Sequence, residues 1–226
     1  MLQAMPAQQS APEIATIDEL YIADEPGAWA GLSFSVTDSV CRIGAVDVRL
    51  AGRATGKGLF GFSLRGIASV ELDGLPAAVS HASPRAPAGE HPNGVVAIDH
   101  VVVFSPALDR SVHALQQAGL ELRRIREEPT PAGAPRQAFF RLGAEILEVI
   151  QEPDAAVRQG GGEDRPARLW GLALVSADLD RTVEALDPHV SAARDAVQPG
   201  RRIATVRRSA GLSVPLALMS AAGERP

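Results

Sequence analysis

Two residues combine a reactive side chain with an unusual position. His100 lies in the β-branched apolar run from Val95 to Phe104, and Glu148 lies between apolar neighbours in a second such run. Because side chains alternate along a strand, His100 is expected to share a sheet face with Ile98 and Val102. A polar group on an apolar face needs a partner, since burying it without one costs free energy. The two residues therefore predict either a ligand site or a bond between their own side chains.

Other motifs fit their chemical patterns less well. The segment from Gly52 to Gly58 resembles a phosphate-binding loop, but its glycine spacing is one residue short. Gly58 also stands where a hydroxyl residue would hold Mg²⁺, so we interpret the segment as a turn and expect no nucleotide cofactor. The remaining histidines fall in predicted linkers or loops or on a polar helix face: His81, His91, His113 and His189.

The charge balance argues against nucleic acids and anionic membranes as general partners. The chain has 22 basic and 27 acidic residues, a formal charge of -5 and a pI near 5.6, whereas binding to phosphates needs a net basic face. One local basic patch is interpreted as a solvated strand edge that discourages edge pairing, with an anionic ligand as the alternative. It contains Arg201, Arg202, Arg207 and Arg208.

Cysteine content and hydropathy indicate a reducing, cytoplasmic location. Cys41 is the only cysteine, so neither an intrachain disulfide nor a cysteine-based zinc site can form. Residues 1–13 lack the basic start and apolar run of a signal peptide, and we predict a flexible tail there. No stretch approaches the roughly 18 apolar residues of a membrane span.

The segment 95–152 has the element order βαβββ. After its first strand, Ser105 can cap a helix with Pro106 at the first helical position. Further strands are predicted at 120–126, 138–142 and 145–151, the last two joined as a hairpin. The helix carries one apolar stripe, formed by Leu108, Val112 and Leu115.

The segment 167–222 repeats this order at a constant offset of 71 residues. The strand from Ile98 to Val103 aligns with that from Leu169 to Leu174, and the helix start Leu108-Asp109-Arg110 aligns with Leu179-Asp180-Arg181. One offset that serves both a strand and a helix indicates duplication.

A shortened relative of the repeat is predicted at the N-terminal end. The run from Ile17 to Ile22 matches the first strand of the middle segment, and the run from Leu59 to Leu64 matches that of the third. Stretches rich in Pro, Ala and Ser, or in Gly among charges, separate the segments. The predicted organisation is a reduced module at 14–76, a linker at 77–94, a module at 95–152, a linker at 153–166 and a degenerate module at 167–222.

A twofold βαβββ repeat with a histidine in its first strand and a glutamate in its fourth resembles the vicinal oxygen chelate superfamily. That superfamily includes glyoxalases, bleomycin-resistance proteins and extradiol dioxygenases. The Ser105-Pro106 helix start and the hairpin from Phe139 to Gly143 add to the likeness. The resemblance implies an α+β fold of repeated βαβββ modules that form cup-shaped mixed sheets. It also implies a divalent metal, Fe, Mn, Ni, Co or Zn, held inside the cup by the first and fourth strands of each module.

The resemblance implies His100 and Glu148 as the metal ligands of the middle module. The matching positions of the third module are Gly171 and Ala217, which cannot bind a metal. Either His100 and Glu148 bond to each other or to water in a cup that has lost its metal, or water, substrate or an unaligned side chain completes the metal centre.

A third alternative pairs the first module with the middle one. Glu19 matches the position of His100 and would complete a three-residue metal face with His100 and Glu148, like that of extradiol dioxygenases. Arg49 stands where a fourth ligand would fall, and its guanidinium would repel a cation. An ion pair between Glu19 and Arg49 across adjacent strands is the plainer interpretation.

Two functional hypotheses follow from the resemblance. The first is an enzyme, a lyase, isomerase or oxygenase acting on a small oxygenated metabolite, in which a metal polarises a carbonyl and Glu148 is the catalytic proton carrier. The second is a metal-free protein that binds or sequesters a small molecule, like bleomycin-resistance proteins. Strand parity indicates Gln137 and Phe139 as substrate-binding residues. The cup can be built within one chain or between two, so a homodimer is an open alternative.

Overall fold

A computed structural model describes residues 14–131 and 133–221, and the predicted tail at 1–13 lies outside them. The strands of the described residues are β1 (Thr16–Ile22), β2 (Val40–Ile43), β3 (Val46–Leu50), β4 (Leu59–Arg65), β5 (Ala77–Val79), β6 (Val95–Ser105), β7 (Glu121–Arg126), β8 (Gln137–Leu142), β9 (Glu145–Gln151), β10 (Arg168–Ser176), β11 (Arg194–Asp195), β12 (Arg202–Thr205) and β13 (Leu216–Ser220). The helices are α1 (Pro26–Ala30), α2 (Leu108–Gln117), α3 (Asp154–Gln159) and α4 (Leu179–Ala185).

An eight-stranded mixed sheet contains both βαβββ units. Its order is β11-β12-β13-β10-β6-β9-β8-β7, so the first strands of the two units, β6 and β10, are antiparallel neighbours at its centre. In each unit the first and last strands are parallel partners, β6 with β9 and β10 with β13. The predicted α+β fold of cup-shaped mixed sheets is confirmed, and one chain supplies both units of this sheet.

Helix α2 covers one face of the sheet with its predicted apolar stripe. Leu108, Val112 and Leu115 are buried in the same core cluster as Val101 and Val103 of β6. Other side chains of β6, β8 and β9 alternate with these buried ones and point away from the helix. We call this side of the sheet the cup face; it carries His100 of β6, Gln137 and Phe139 of β8, and Glu148 of β9.

The start of α2 differs from the prediction. The helix begins at Leu108 after Ala107, and no side chain caps it. Ser105 instead remains in β6, where its hydroxyl accepts a hydrogen bond from the Ala107 amide at 3.1 Å and contacts the Ser111 hydroxyl at 2.6 Å. The serine therefore shapes the turn between strand and helix.

A five-stranded sheet repeats the centre of the larger one. Its order is β2-β3-β1-β4-β5, in which β1 is parallel to β3 and antiparallel to β4, and β4 is parallel to β5. The same relations join β6, β9, β10 and β13. Strand β5 lies inside the predicted 77–94 linker and α3 inside the 153–166 linker, while the proposed module boundaries stay a prediction.

The two sheets also share the positions of their irregularities. Asp18 in β1 and Asp99 in β6 are each an extra residue in the ladder with the antiparallel neighbour. On the neighbouring strands, Phe60 of β4 and Trp170 of β10 are skipped in the same way. A bulge places two residues of one strand opposite one of its partner and redirects side chains, and such bulges are kept within families. Shared bulges therefore support descent of both sheets from one tandem unit.

The buried side chains of both sheets form one hydrophobic cluster, which extends from Leu20 and Trp29 to Phe140 and Leu218.

None of the helices within the described ranges is long and apolar enough to cross a membrane.

Candidate functional site

His100 and Glu148 contact each other on the cup face. They lie on the adjacent parallel strands β6 and β9, where Val102 is the register partner of Glu148. His100 Nε2 is 3.2 Å from Glu148 Oε2, and the side chains are 20% and 12% exposed. The pair is therefore largely enclosed and still reachable from solvent.

Asp99 reaches the same histidine from the other side. Its Oδ2 is 2.8 Å from His100 Nδ1, although consecutive strand residues normally point to opposite faces. The bulge at Asp99 explains the contact, because it shifts the register so that Ile98 pairs with Leu174 and His100 pairs with Ala173. Ile98 consequently turns into the core, where it is 3% exposed, and the predicted shared face of Ile98 and His100 is wrong.

Arg201 anchors Asp99. Its guanidinium is 2.5 Å from Asp99 Oδ1 and donates to the Ser220 carbonyl oxygen at 2.7 and 2.9 Å. Burial disfavours the charged form of Asp99, but the hydrogen bonds from His100 and Arg201 outweigh it and hold the pKa of Asp99 below its ordinary value. Arg201 is only 7% exposed, so its predicted place on a solvated strand edge is wrong.

The pKa of the Glu148 carboxyl group is shifted in the opposite direction from that of Asp99. Burial raises the pKa of Glu148 above its ordinary value, against the lowering influence of His100. The Gln137 side chain contacts Glu148 Oε1 from the neighbouring strand β8. Phe139, two residues on, is the register partner of Glu148 and carries the Arg124 guanidinium 4.7 Å from its ring centroid. The two residues predicted to bind substrate thus lie beside Glu148.

The arrangement can store and move one proton. With Asp99 ionised, His100 donates its Nδ1 hydrogen to that carboxylate, and Nε2 faces Glu148. A hydrogen between Nε2 and Oε2 can be bonded to either atom, so the pair can pass one proton from one side chain to the other. The geometry combines a base, an acid and an orienting carboxylate within hydrogen-bond reach.

The raised pKa of Glu148 predicts a pH-dependent stability difference. The folded protein holds the proton of this carboxyl group more tightly than the unfolded chain does. The free energy of unfolding therefore falls as pH rises above the ordinary pKa of glutamate. Glu148→Gln removes this penalty, and we expect the stability of the variant relative to wild type to increase as pH rises from 4 to 8. Urea unfolding across that range measures the gain. The exposed Glu121→Gln variant is the control, and an equal gain there would contradict the assignment to burial.

The residues around the pair do not fit the four-ligand metal centre that the fold family implies. A Cβ atom at Gly171 would stand 2.6 Å from the carbonyl oxygen of Pro215, so no side chain can be added there without moving the backbone. Ala217 supplies no donor atom. Within residues 14–131 and 133–221, no group of three or more His, Cys, Asp or Glu side chains is arranged to hold a metal.

Glu19 is not brought to His100. It lies on β1 of the five-stranded sheet, where Arg49 donates to it at 2.5 Å and the Tyr21 hydroxyl donates at 2.8 Å. The ion pair with Arg49 across adjacent strands is confirmed. Hydrogen bonding to Arg49 lowers the pKa of Glu19, which keeps this carboxylate ionised and occupied. Glu19 and Arg49 hold the same places in their sheet as His100 and Glu148 in theirs.

Sequence reasoning missed Asp99, Arg124 and Arg201. Asp99 adjoins His100 in the sequence, but strand alternation assigned it to the other face. A single sequence gives no sign of the bulge. Arg201 stood out only as part of a basic patch, and its partner lies 102 residues away.

Comparisons with known proteins identify the fold. No protein-family model matches the chain, and no curated protein sequence is significantly similar to it. The solved structure of a xylose isomerase-like TIM barrel/4-hydroxyphenylpyruvate dioxygenase fusion protein matches with a TM-score of 0.58 and 11% identity. This match covers 99% of the chain and 52% of the fusion protein, so the chain spans about half the length of that protein.

Shorter matches are found with methylmalonyl-CoA epimerases. The Mycobacterium tuberculosis enzyme matches at a TM-score of 0.48 and 18% identity, over 59% of this chain and 93% of its own. A Streptomyces coelicolor variant in complex with 2-nitronate-propionyl-CoA matches at 0.45 and 20%, over 57% and 99%. From the tandem βαβββ units, the pairing of their first strands and the match over the whole chain to the dioxygenase fusion protein, we conclude that this chain has the fold of the vicinal oxygen chelate superfamily.

Proposed function

We propose that this chain binds a small oxygenated molecule on the cup face and moves a proton on it through the His100–Glu148 pair, without a resident metal ion. The observation that carries the proposal is the 3.2 Å contact between His100 Nε2 and Glu148 Oε2, on a face where the matching positions of the other unit are Gly171 and Ala217. The reaction class is isomerisation or a related proton transfer next to a carbonyl group.

The chemistry balances within the pair. When the shared proton resides on His100, the Glu148 carboxylate takes the proton from the carbon next to a substrate carbonyl. His100 gives its Nε2 proton to the carbonyl oxygen, and the substrate becomes an enediol or enol. The pair then holds the same number of protons, now on Glu148. Return of that proton to the former carbonyl carbon completes an isomerisation when neutral His100 Nε2 takes the proton from the hydroxyl on the other carbon, which becomes the new carbonyl and restores the pair. Asp99 stabilises His100 whenever it is charged.

The surroundings of the pair suit such a substrate. Arg124 lies above the Phe139 ring and is close enough to Glu148 to favour its ionised form. A guanidinium at this position can bind a carboxylate or a developing enolate oxygen of the ligand. The apolar ring below it gives the carbon skeleton a contact surface.

Hydrogen exchange tests the chemical step. The protein is incubated in D₂O with a panel of α-keto acids, α-hydroxy acids and vicinal dicarbonyl compounds, and proton NMR records loss of the carbon-bound hydrogen. We expect exchange with one class of compound and a loss of about a hundredfold in rate in both His100→Ala and Glu148→Gln, the scale of general acid–base catalysis. His113→Ala, an exposed histidine on α2, is the matched control and should exchange at the wild-type rate.

Metal content tests the other half of the proposal. We expect protein purified without chelator to contain no stoichiometric Fe, Mn, Ni, Co or Zn by elemental analysis, and chelator treatment to leave the exchange rate unchanged. Stoichiometric metal that is lost in His100→Ala would instead favour the metal-dependent enzyme that the family resemblance implies.

A binding protein without chemistry is the second candidate, and the Arg124–Phe139 pair is the observation that favours it. It predicts saturable binding of a panel member with no hydrogen exchange, and binding that survives Glu148→Gln but is weakened in Phe139→Ala.

A further inference from the structure

A basic groove lies away from the His100–Glu148 pair, between the five-stranded sheet and the degenerate unit of the larger sheet. Its volume of about 920 Å³ is within the range of small-molecule sites. The loop after β3 forms one wall, and the segment between β12 and β13 forms the other. The side chains that matter for recognition are Arg53, Lys57, Arg168, Trp170, Arg207 and Arg208.

The groove is positively charged, although the protein as a whole is negatively charged. Five of its lining residues are cationic and none is acidic, whereas the whole chain has a formal charge of -5. Arg168 pairs with Glu152 at 3.3 Å, and Arg53 donates to the Gly211 carbonyl oxygen at 2.6 Å. Among the described residues, Lys57, Arg207 and Arg208 have no carboxylate within ion-pair distance. Cations gathered without counter-charges repel one another, and an anionic ligand would relieve that repulsion.

The walls of the groove are fastened to each other. The Gly58 amide donates to the Ser213 hydroxyl at 2.7 Å, and the Ser213 amide donates to Asp24 Oδ1 at 2.6 Å. Together with the Arg53–Gly211 bond, these contacts join loops that are more than 150 residues apart in the sequence. A groove held in this way is preorganised for binding, because little of its shape must be ordered by the ligand.

Trp170 adds a flat surface. It is the bulged residue of β10, is 40% exposed, and packs edge-on against Phe104 with ring centroids 5.2 Å apart. An exposed indole beside unpaired arginines can stack against a planar ring whose attached anion contacts the guanidinium groups.

We propose that this groove is a binding site for a small polyphosphorylated ligand with a planar ring, the chemistry of a nucleoside polyphosphate. The size of the groove and the negative charge of the remaining protein favour a small molecule over a nucleic acid chain. The segment from Gly52 to Gly58 contributes to it without being a phosphate-binding loop, since the 3-10 turn Arg53–Thr55 leads into β4 and not into a helix. The proposal is independent of the proton-transfer function.

Tryptophan fluorescence gives a direct test. The chain has two tryptophans, and Trp29 is fully buried, so a ligand in the groove reports through Trp170. We expect saturable quenching by ATP, with an affinity that falls as salt is added. Calorimetry should show ATP binding more tightly than inorganic tripolyphosphate to wild type, and the two binding equally to Trp170→Leu.

Substitutions of arginines inside and outside the groove test whether the groove itself binds the phosphates. Arg207→Gln with Arg208→Gln is expected to weaken binding of ATP and of tripolyphosphate about tenfold, since two of the five cationic side chains of the groove are lost. Arg123→Gln with Arg158→Gln removes the same charge from exposed positions outside the groove and should leave both affinities unchanged. An equal loss in the two double variants would overturn the proposal, because it would show attraction to overall charge alone. Wild-type affinity in the Arg207/Arg208 variant, or binding of adenosine as tight as that of ATP, would also overturn it.

Discussion

Asp99→Asn is expected to lower the free energy of unfolding by about 3 kcal/mol, the scale on which breaking one side of a buried ion pair acts. Arg201 would keep the Ser220 carbonyl oxygen and Gln198 Oε1 as acceptors but would lose its only carboxylate within the described residues. An almost fully buried guanidinium would then be left without a counter-charge. Urea unfolding of wild type and variant at neutral pH measures the difference.

The control for this variant is Asp180→Asn. Asp180 pairs at 2.7 Å with Arg202, the residue that follows Arg201 in the sequence, but the carboxylate is 71% exposed. Exposed ion pairs contribute little because water and salt screen the charges, so this change should be nearly silent. If both variants lose the same amount, the burial of Arg201 does not decide the energetics of its pair.

The effect of Asp99→Asn should also depend on pH. Because the pKa of Asp99 is held below its ordinary value of 3.8, its contribution to stability is present above that value and is lost as pH falls through the folded-state pKa. The difference between wild type and variant should therefore shrink in acid. A difference that stays constant down to low pH would show that the aspartate acts through packing rather than charge.

The fold was largely predictable because its information is periodic and repeated. A constant offset of 71 residues aligned strands and helix starts of the two complete units, and the structure pairs those units in one sheet. Strand parity also placed Glu148, Gln137 and Phe139 on one face, since β8 and β9 pair without irregularity. Regular strands can be read by alternation because every second side chain points the same way.

The candidate site was less predictable because it is built on an irregularity. The bulge at Asp99 turns a residue expected on the opposite face toward His100, and the partner of Asp99 is supplied by a distant strand. Neither effect leaves a periodic trace in one sequence. The recurrence of a bulge at Asp18 in the smaller sheet, again with a buried arginine as partner in Arg65, shows that the irregularity belongs to the repeated architecture.

A second feature that both sheets share is a proline carbonyl oxygen that faces a glycine on the neighbouring strand. The Pro76 carbonyl oxygen accepts a hydrogen bond from the Phe62 amide at 3.2 Å, and the Pro215 carbonyl oxygen accepts one from the Leu172 amide at 3.0 Å. Each proline comes directly before a strand that runs parallel to β4 or β10, and each faces a glycine, Gly61 or Gly171. At Gly171, the position that matches His100 in the other unit, the Pro215 carbonyl oxygen fills the space of a side chain, whereas at Gly61 the Pro76 carbonyl oxygen lies 3.5 Å from an added Cβ atom.

Gly171→Ala is therefore expected to destabilise the protein by about 2 kcal/mol, within the range for overpacking a filled site. The new methyl group would lie 2.6 Å from the Pro215 carbonyl oxygen, and this backbone atom cannot move without disturbing its hydrogen bond to Leu172. Gly171 does not have a positive φ, so backbone strain does not add to the effect.

Gly61→Ala is the matched comparison for this variant. Its Cβ atom would stand 3.3 Å from the Tyr21 ring and 3.5 Å from the Pro76 carbonyl oxygen, a contact that small shifts can accommodate. We expect urea unfolding to show a loss below about 1 kcal/mol there. The same reasoning predicts that Gly171→His does not create a metal site with His100 and Glu148. If Gly171→Ala is as stable as wild type and Gly171→His binds Zn²⁺ tightly, the metal centre lacks only a side chain, and the proposed metal-free chemistry loses its structural basis.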